Sequence, residues 1–263
     1  MIYDTKTYSL CLARGGDLPN NFKNYLKSWQ EKNPDYEIKE WNEKNFDFSK
    51  SPYAQEAYKA KKYGFVSDYI RAKILYEYGG IYLDTDVEVL KNFDNLLNDD
   101  LFISFENEAY LESAVIGSIP KHPFFREVIS FYENAHFSNK KGKLNIIPNT
   151  VLLTVFMKKL CNLKQKNKEQ ILEFEGKNLH IYELHTFAPI NYITKNLDVK
   201  ENTYAIHHFD GSWLNKKVST QDKFVRFIYK ITPKSLFGAY IRVYLRYASN
   251  SLKSKFFYNE NKK

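Results

Sequence analysis

The feature that most constrains this chain is a long helical pattern that stops at two glycines and leads into two aspartates. Between residues 53 and 78, apolar residues recur at steps of three and four, which predicts one long amphipathic helix. The glycines at 79–80 supply the backbone freedom that a helix end needs. The next residues, IYL, predict a short buried strand, and Asp84 and Asp86 follow it. Ligand sites in layered α/β proteins lie beyond strand ends, so this segment indicates both a fold class and a site.

Shorter patterns extend the α/β prediction to both sides of this segment. The predicted strands are TYSLCLA (7–13), DYEIKEWN (35–42), LFISFE (101–106, ending in Glu106) and TYAIHHF (203–209). Helical spacing is found in PNNFKNYLKSWQEK, between the first two strands, and in FFREVISFYENA, after Pro123. Strand, helix, strand is the usual opening of a layered α/β domain.

Composition indicates a folded chain without metal-binding or disulfide-forming cysteine patterns. Hydrophobic residues make up 43% and aromatic residues 17% of the 263 residues, so the signature of disorder is missing. Cys11 and Cys161 lie far apart and have no partners at zinc-site spacing. The first residues lack the pattern of a signal peptide, and no apolar run approaches the length of about 18 residues typical of a membrane span. We therefore expect a cytoplasmic protein.

The excess positive charge is confined to the end of the chain. Ten of the 39 Lys and Arg residues but only two of the 31 acidic residues lie in 219–263, so this segment carries the whole net charge of +8. The neutral part, 1–218, argues against a nucleic-acid partner and predicts one catalytic or binding domain. Within 219–263 the pattern predicts basic amphipathic helices. These would either pack on the domain with solvated lysines or adsorb to an anionic membrane surface.

Asp84 and Asp86 admit two interpretations, a turn and a metal site. If the strand continues through them, residues two apart point the same way, and both carboxylates face one space. Two such carboxylates repel each other unless a cation lies between them, and oxygen ligands suit Mg²⁺ or Mn²⁺. Aspartate is a poor strand former, so a pair at the end of a buried strand favours the metal site.

Two further groups are candidates for the same site. Asp68 and Arg71 are three residues apart on the predicted helix, so they are neighbours on one face. They form either a surface ion pair or a pair that grips a polyhydroxylated ligand. In HHFDGSW, one of the adjacent His207 and His208 could complete a metal site, and Trp213 could close over a ligand. Together these groups suggest a metal-bound diphosphate with a sugar attached.

Other enzyme classes lose support because their motifs are missing. The sequence contains no G-x-G-x-x-G, no P-loop and no G-x-S-x-G elbow, which argues against dinucleotide oxidoreductases, P-loop kinases and serine hydrolases. Two alternatives to an enzyme that binds a sugar diphosphate stay open. A metal-dependent phosphohydrolase could also use paired aspartates, and a carbohydrate-binding protein that has lost activity could keep the same pocket.

The resemblance to a known family rests on three segments: NPDYEIKEWNEKNFD, AYKAKKYGFVSDYIRAKILYEYGGIYLDTDVEVLKNFDNLL and NTYAIHHFDGSWL. They closely resemble bacterial DXD-type glycosyltransferases of capsular and cell-surface polysaccharide clusters. Those enzymes are similar to fungal α-mannosyltransferases and, more distantly, to the large clostridial glucosylating toxins. The resemblance covers most of 8–215. It implies a GT-A fold around a mixed central sheet flanked by helices, with a nucleotide-sugar donor, a divalent cation, usually Mn²⁺, and retention at the anomeric carbon.

The resemblance also implies roles for individual residues. Asp86 would bind the metal directly, while Asp84 would contact the ribose and the metal shell; both are the candidate catalytic residues. Asp68 and Arg71 would hold the donor sugar, with Tyr82 nearby. The position of a late metal ligand is matched by His208, and that of a mobile loop over the diphosphate by Ser212 and Trp213.

One segment departs from the family pattern. Relatives usually begin with a segment like IHYCWFGG, whose tryptophan lies near the base, whereas this chain has SLCLARGG, with Leu10 and Ala13 in place of His and Trp. This puts the mode of base recognition in question.

From these observations we expect a hexosyltransferase that uses a UDP-linked donor and a surface-polysaccharide or lipid-linked oligosaccharide acceptor. If the basic extension adsorbs to a membrane, we expect the protein peripherally at the inner face of the cell membrane.

Overall fold

A seven-stranded mixed sheet organises the chain. The computed structural model describes residues 21–139, 142, 144–164, 166–192 and 194–210, together with the backbone of the first strand. Its strands are β1 (Thr7–Leu12), β2 (Glu37–Asn42), β3 (Gly80–Leu83), β4 (Val87–Val89), β5 (Leu101–Phe105), β6 (Leu111–Ser118), β7 (Gln170–Phe174), β8 (Lys177–Tyr182) and β9 (Ala205–His207). Its helices are α1 (Phe22–Lys32), α2 (Pro52–Lys59), α3 (Tyr63–Tyr78), α4 (Pro123–Asn134) and α5 (Asn149–Cys161). The predicted extension 219–263 lies outside the described residues.

The strand order of the large sheet is β2-β1-β3-β6-β5-β8-β7. β1 runs parallel to β2 and β3, whereas β6 runs antiparallel to both of its neighbours, β3 and β5. β8 is parallel to β5, and β7 closes the edge as an antiparallel hairpin partner of β8. A second, two-stranded sheet is formed by β4 and β9. The mixed central sheet flanked by helices is therefore confirmed.

The helix predicted over 53–78 is divided in two, and on this point the prediction is wrong. α2 ends in a Schellman-type arrangement, in which the Lys61 N–H donates to Tyr58 O (2.9 Å) and the Lys62 N–H donates to Ala57 O (2.9 Å). Lys61 itself has a φ of 56°, the left-handed conformation that such a helix end requires. The sequence places a lysine there instead of the usual glycine, so the break carries no strong sequence signal.

The end of α3 is fixed by Gly79, as predicted. This residue has a φ of 69°, and its N–H donates to Leu75 O (3.0 Å). A Cβ atom at this position would lie 2.7 Å from Pro120 and 2.9 Å from Ser118 O, so no larger residue fits without rearrangement. The chain turns directly from α3 into β3, which is buried along its whole length. This turn fixes the position of α3 against the strand that leads to the two aspartates.

Two apolar clusters enclose the large sheet. The larger one packs α2, α3, α4 and α5 against the sheet and includes Tyr69, Leu75 and Phe125. The smaller one packs α1 against β3 and β4, and its Trp29 is fully buried with its indole N–H donating to Val87 O (2.7 Å). Burying a large apolar side chain of this kind contributes about 2–3 kcal/mol. The small sheet is thereby held against the large one, next to the end of β3.

The helices within the described residues are too short or too polar to cross a bilayer.

Candidate functional site

Asp84 and Asp86 lie in the link between the two sheets. The Asp84 N–H donates to Ala114 O of β6 (2.8 Å), and the Asp84 carbonyl accepts the N–H of Val87 (3.2 Å), which closes a tight turn before β4. The expectation that a continuing strand aligns the two carboxylates is therefore wrong, because these residues form a turn. The turn nevertheless brings their side chains together, so the two interpretations of the sequence do not exclude each other.

A third side chain joins the two carboxylates. The antiparallel pairing of β4 with β9 places His207 opposite Val87, one residue after Asp86. One potential ligand atom each from Asp84, Asp86 and His207 lies within 4.8 Å of the others, and His207 Nε2 is 3.5 Å from Asp86 Oδ1. Two carboxylates and one imidazole are a donor set that fits Mn²⁺ well and also accepts Mg²⁺. The residues present therefore fit the predicted metal.

The histidine in this group differs from the predicted one. His208 points to the other side of the small sheet, where its Nε2 lies 2.8 Å from Glu88 Oε2 and its ring stacks on Tyr25 at 4.8 Å between centroids. Adjacent residues on a strand face opposite sides, so only one of the two can reach the aspartates. The structure brings His207, and not His208, to them.

The predicted pair on α3 is buried beside this group. Arg71 donates to Asp68 Oδ1 (3.1 Å), and its Nη2 atom lies 3.5 Å from Asp84 Oδ1. The guanidinium also donates to Ser113 O and lies over the ring of Tyr82, 4.5 Å from the centroid. Tyr82 in turn donates to Asp84 Oδ1 (2.6 Å). Because both members of the pair are almost fully buried, the surface ion pair considered from the sequence does not describe them.

Four carboxyl groups, those of Asp68, Asp84, Asp86 and Glu112, lie around Arg71 and His207. Burial raises the pKa of Asp68 to about 7 despite the neighbouring Arg71, and burial also raises the pKa of Asp84. Burial acts the same way on Asp86, but the hydrogen bond and charge of His207 outweigh it and lower the pKa of that carboxyl. His207 has a pKa raised well above its usual value, since two carboxylates outweigh its burial. Such a site favours the binding of a further cation.

Glu112 belongs to this region and is missing from the predicted site. It lies on β6, is fully buried, and has Oε1 3.2 Å from His207 Nδ1. Glu106, predicted as a carboxylate at the end of a strand, lies beside it, and burial together with the charge of Glu112 raises the pKa of Glu106 to about 8. The one sequence signal for Glu112 is a carboxylate inside an otherwise small and apolar run, LESAVIGS.

Two predicted residues and one departure lie at the limits of the described chain. Ser212 and Trp213 are outside the described residues, as is Ala13, while Leu10 is described only by its backbone. The segment just before Ser212 does reach the site, because the Asp210 N–H donates to Asp86 Oδ2 (2.9 Å). The hydroxyl of Tyr25 on α1 donates to the Asp210 carboxylate (3.1 Å).

A family model matches the part of the chain that holds the centre of the site. Residues 19–103 match the family described as glycosyltransferase sugar-binding region containing DXD motif. This range includes Asp68, Arg71, Asp84 and Asp86, so the resemblance to DXD-type glycosyltransferases is confirmed for this region. It supports the prediction of an enzyme.

Individual relatives share a limited part of their length with this chain. The alpha-1,4-N-acetylglucosaminyltransferase of Homo sapiens is 25% identical over 130 residues, 48% of this chain and 34% of that protein. Inositol phosphoceramide mannosyltransferase 2 of Schizosaccharomyces pombe is 28% identical over 160 residues, 59% of this chain and 45% of that protein. Lactosylceramide 4-alpha-galactosyltransferase of Mus musculus is 32% identical over 103 residues, which are 39% of this chain and 27% of that protein. The chain therefore spans less than half the length of each of these relatives.

Among solved structures, the PaToxG glycosyltransferase superposes with a TM-score of 0.48 at 15% sequence identity, covering 59% of this chain and 68% of that one.

Proposed function

We propose that this protein is a metal-dependent glycosyltransferase of the GT-A fold. It moves a hexose from a UDP-linked donor to a surface-polysaccharide or lipid-linked acceptor, with retention at the anomeric carbon. The observation that carries the proposal is the double role of Asp84. The carboxylate of Asp84 lies together with Asp86 and His207. It also lies 3.5 Å from Arg71, which is the partner of Asp68. A metal-binding group and a sugar-binding pair therefore meet at one residue.

The metal end of the site would hold the diphosphate of the donor. Bound there, Mn²⁺ or Mg²⁺ would neutralise the charge that develops on the leaving nucleoside diphosphate. Asp84, Asp86 and His207 are the residues that would hold the ion. The hydroxyl of Tyr82 fixes the orientation of Asp84 by donating to its Oδ1 (2.6 Å). This orientation is set before any donor binds, which reduces the reorganisation needed during the reaction.

The pair on α3 would hold the donor sugar. Asp68 can accept hydrogen bonds from sugar hydroxyls, and Arg71 can donate to them. The Nε atom of Arg71 is buried without a hydrogen-bond partner among the described residues. A buried N–H of this kind is costly unless a ligand completes its bonding, so it supports a polar ligand at this position. Holding the sugar here would orient its anomeric carbon relative to the diphosphate.

The acceptor and the location are proposed from two separate observations. Two of the relatives, by their names, act on inositol phosphoceramide and lactosylceramide, which are lipids that carry the acceptor group. The segment 219–263 carries a charge of +8, which suits an anionic membrane surface. The names support a lipid-linked or glycan acceptor, and the charge supports a location at an anionic membrane surface, which we propose to be the inner face of the cell membrane.

The activity is tested with a panel of UDP- and GDP-linked hexoses, each with Mn²⁺ and with EDTA. We expect thermal stabilisation and slow donor hydrolysis with at least one UDP-sugar, both of them metal-dependent. UDP alone serves as the control for nucleotide binding without transfer. Release of phosphate from simple esters without a response to sugar nucleotides would favour the phosphohydrolase. Stabilisation by free sugars with no hydrolysis of any donor would favour a carbohydrate-binding protein.

Membrane docking is tested by deleting residues 219–263 and measuring sedimentation with liposomes. The full chain should bind vesicles with 30 mol% phosphatidylserine and release them at high salt, because the attraction is electrostatic and is screened. Vesicles of phosphatidylcholine alone are the control. Equal binding of the full and the shortened chain to anionic vesicles would show that the extension does not dock the protein.

A further inference from the structure

Glu112 is a buried carboxylate to which the proposed reaction gives no role. It lies near the start of β6 with an exposed fraction of 0%. Its Oε1 atom accepts the backbone N–H groups of Ser113 (3.0 Å) and Ala114 (2.6 Å). A buried polar group is costly unless it is hydrogen-bonded, and the two backbone donors meet this need while fixing the orientation of the group. The backbone of β6 thus fixes the orientation of this carboxyl group.

The fixed carboxylate faces one nitrogen of His207, and the aspartates face the other. His207 Nδ1 lies 3.2 Å from Oε1 and 3.4 Å from Oε2 of Glu112. On the opposite side of the ring, Nε2 lies 3.5 Å from Oδ1 of Asp86. Metal-binding histidines commonly have this arrangement, in which the nitrogen that does not bind the metal donates its N–H to a carboxylate.

The face of the same ring is also held. Phe209 stacks on His207 with 3.9 Å between ring centroids and an angle of 35° between the planes. Phe209 has a φ of 53°, a backbone conformation that is uncommon for a residue other than glycine. Such conformations persist where surrounding contacts enforce them, and they concentrate at functional sites. His207 is therefore restrained both at its edge, by Glu112, and on its face, by Phe209.

We propose that Glu112 is a positioning residue of the metal site: it accepts the Nδ1–H of His207 and thereby directs the Nε2 lone pair towards the ion held with Asp84 and Asp86. This inference rests on the proposed function, because it assumes that the group binds a metal. It assigns a role to a residue that touches neither the donor nor the ion. It also fixes the tautomer of His207, with the proton on Nδ1.

The substitution Glu112→Gln tests this role because it changes the charge but hardly the shape. The hydrogen bond with His207 Nδ1 involves Oε2 (3.4 Å), whereas Oε1 accepts the N–H groups of Ser113 and Ala114. An amide that keeps its oxygen at the Oε1 position would therefore turn its NH₂ group towards His207 Nδ1. An NH₂ group only donates, so it would favour the tautomer with the proton on Nε2 and turn an N–H towards the ion. The variant should therefore keep its fold and lose nitrogen ligation.

The experiment is a titration of the full chain with Mn²⁺, followed by electron paramagnetic resonance. The resonance signal of free Mn²⁺ measures how much of the ion remains unbound and so gives the affinity. The ¹⁴N modulation of the electron spin echo of the bound ion reports ligation by an imidazole. Glu112→Gln should weaken Mn²⁺ binding about 10- to 100-fold and abolish the ¹⁴N modulation. The matched control is Asp99→Asn, which changes a carboxylate 3.0 Å from His180 Nδ1. Asp99 lies just before β5, whereas Glu112 lies beside the end of that strand. This control should keep both the affinity and the modulation of the wild type.

The outcomes separate this inference from the proposed function. Wild-type affinity and wild-type modulation in Glu112→Gln would overturn the inference alone, provided that the unchanged chain binds Mn²⁺. Failure of the unchanged chain to bind Mn²⁺ would overturn both. If Glu112→Gln does not fold, ¹⁵N spectra of the unchanged chain loaded with Zn²⁺ decide, with His207→Gln used to assign the signal. A proton on Nδ1 of His207 supports the inference, and a proton on Nε2 overturns it.

Discussion

The substitution Asp86→Asn should remove the metal response of the protein without unfolding it. Asparagine has nearly the same shape as aspartate, but it lacks the charge that holds a divalent cation. The wild type should gain about 2.7 kcal/mol of stability at a Mn²⁺ concentration 100 times its Kd, visible as a rise in Tm, and Asp86→Asn should gain none. Transfer should fall about 1000-fold, equivalent to about 4 kcal/mol of lost transition-state stabilisation. The measurements are Tm with and without Mn²⁺ and initial rates of donor turnover.

Glu88→Gln is the matched control for this variant. Glu88 lies two residues further along the chain and is half-exposed, with its carboxylate 2.8 Å from His208 Nε2. The charge change is the same, but the carboxylate faces away from Asp84 and His207. We expect a Mn²⁺-dependent rise in Tm and a rate close to those of the wild type. A full metal response and full turnover in Asp86→Asn would contradict the assignment of Asp86 as a metal ligand.

The sequence predicts those helices and strands whose own residues show a clear period or end signal. The α3–Gly79–β3 segment has a helical period, a glycine stop and a short apolar strand, and the structure confirms all three. β6 is not among the predicted strands. It is buried on both faces, so it lacks the alternation of apolar and polar residues that marks a strand with one solvated face. The break at Lys61 has no strong sequence signal because a lysine, and not a glycine, occupies the left-handed position.

In the site, contacts within one helix can be predicted from the sequence, whereas contacts between strands cannot. Asp68 and Arg71 were predicted as neighbours because the helical period fixes their spacing, and the structure confirms this contact. The choice between His207 and His208 depends on the register of β9 against β4, and a shift by one residue would exchange their faces. Glu112 reaches His207 only because β6 lies beside β3, an arrangement of strands that no local pattern encodes. These contacts between strands are therefore known only from the structure.

Replacement of Arg71 by methionine should destabilise the fold strongly. Arg71 is 4% exposed and its guanidinium lies between Asp68 and Asp84, so its removal leaves two carboxylates without their cation. Removing one partner of a buried ion pair costs about 3–5 kcal/mol. We expect a loss of this size in the free energy of unfolding at pH 8, measured with urea. Lys73→Met is the control on the same helix, where a cation with an 18% exposed side chain pairs with Glu133, and it should cost about 1 kcal/mol.

The loss in Arg71→Met should depend on pH, and the raised pKa of Asp68 fixes its sign. In the wild type this pKa is raised from 3.8 to about 7, so ionisation of Asp68 lowers stability as the pH rises through that window. Without Arg71, which lowers this pKa, the ionised carboxylate costs more, so the gap between variant and wild type should widen towards pH 8 and narrow towards pH 5. The double variant Asp68→Asn/Arg71→Met should recover part of the loss. Additive losses at every pH would mean that the two side chains do not stabilise each other, and the donor pair would then lack the coupling on which its role depends.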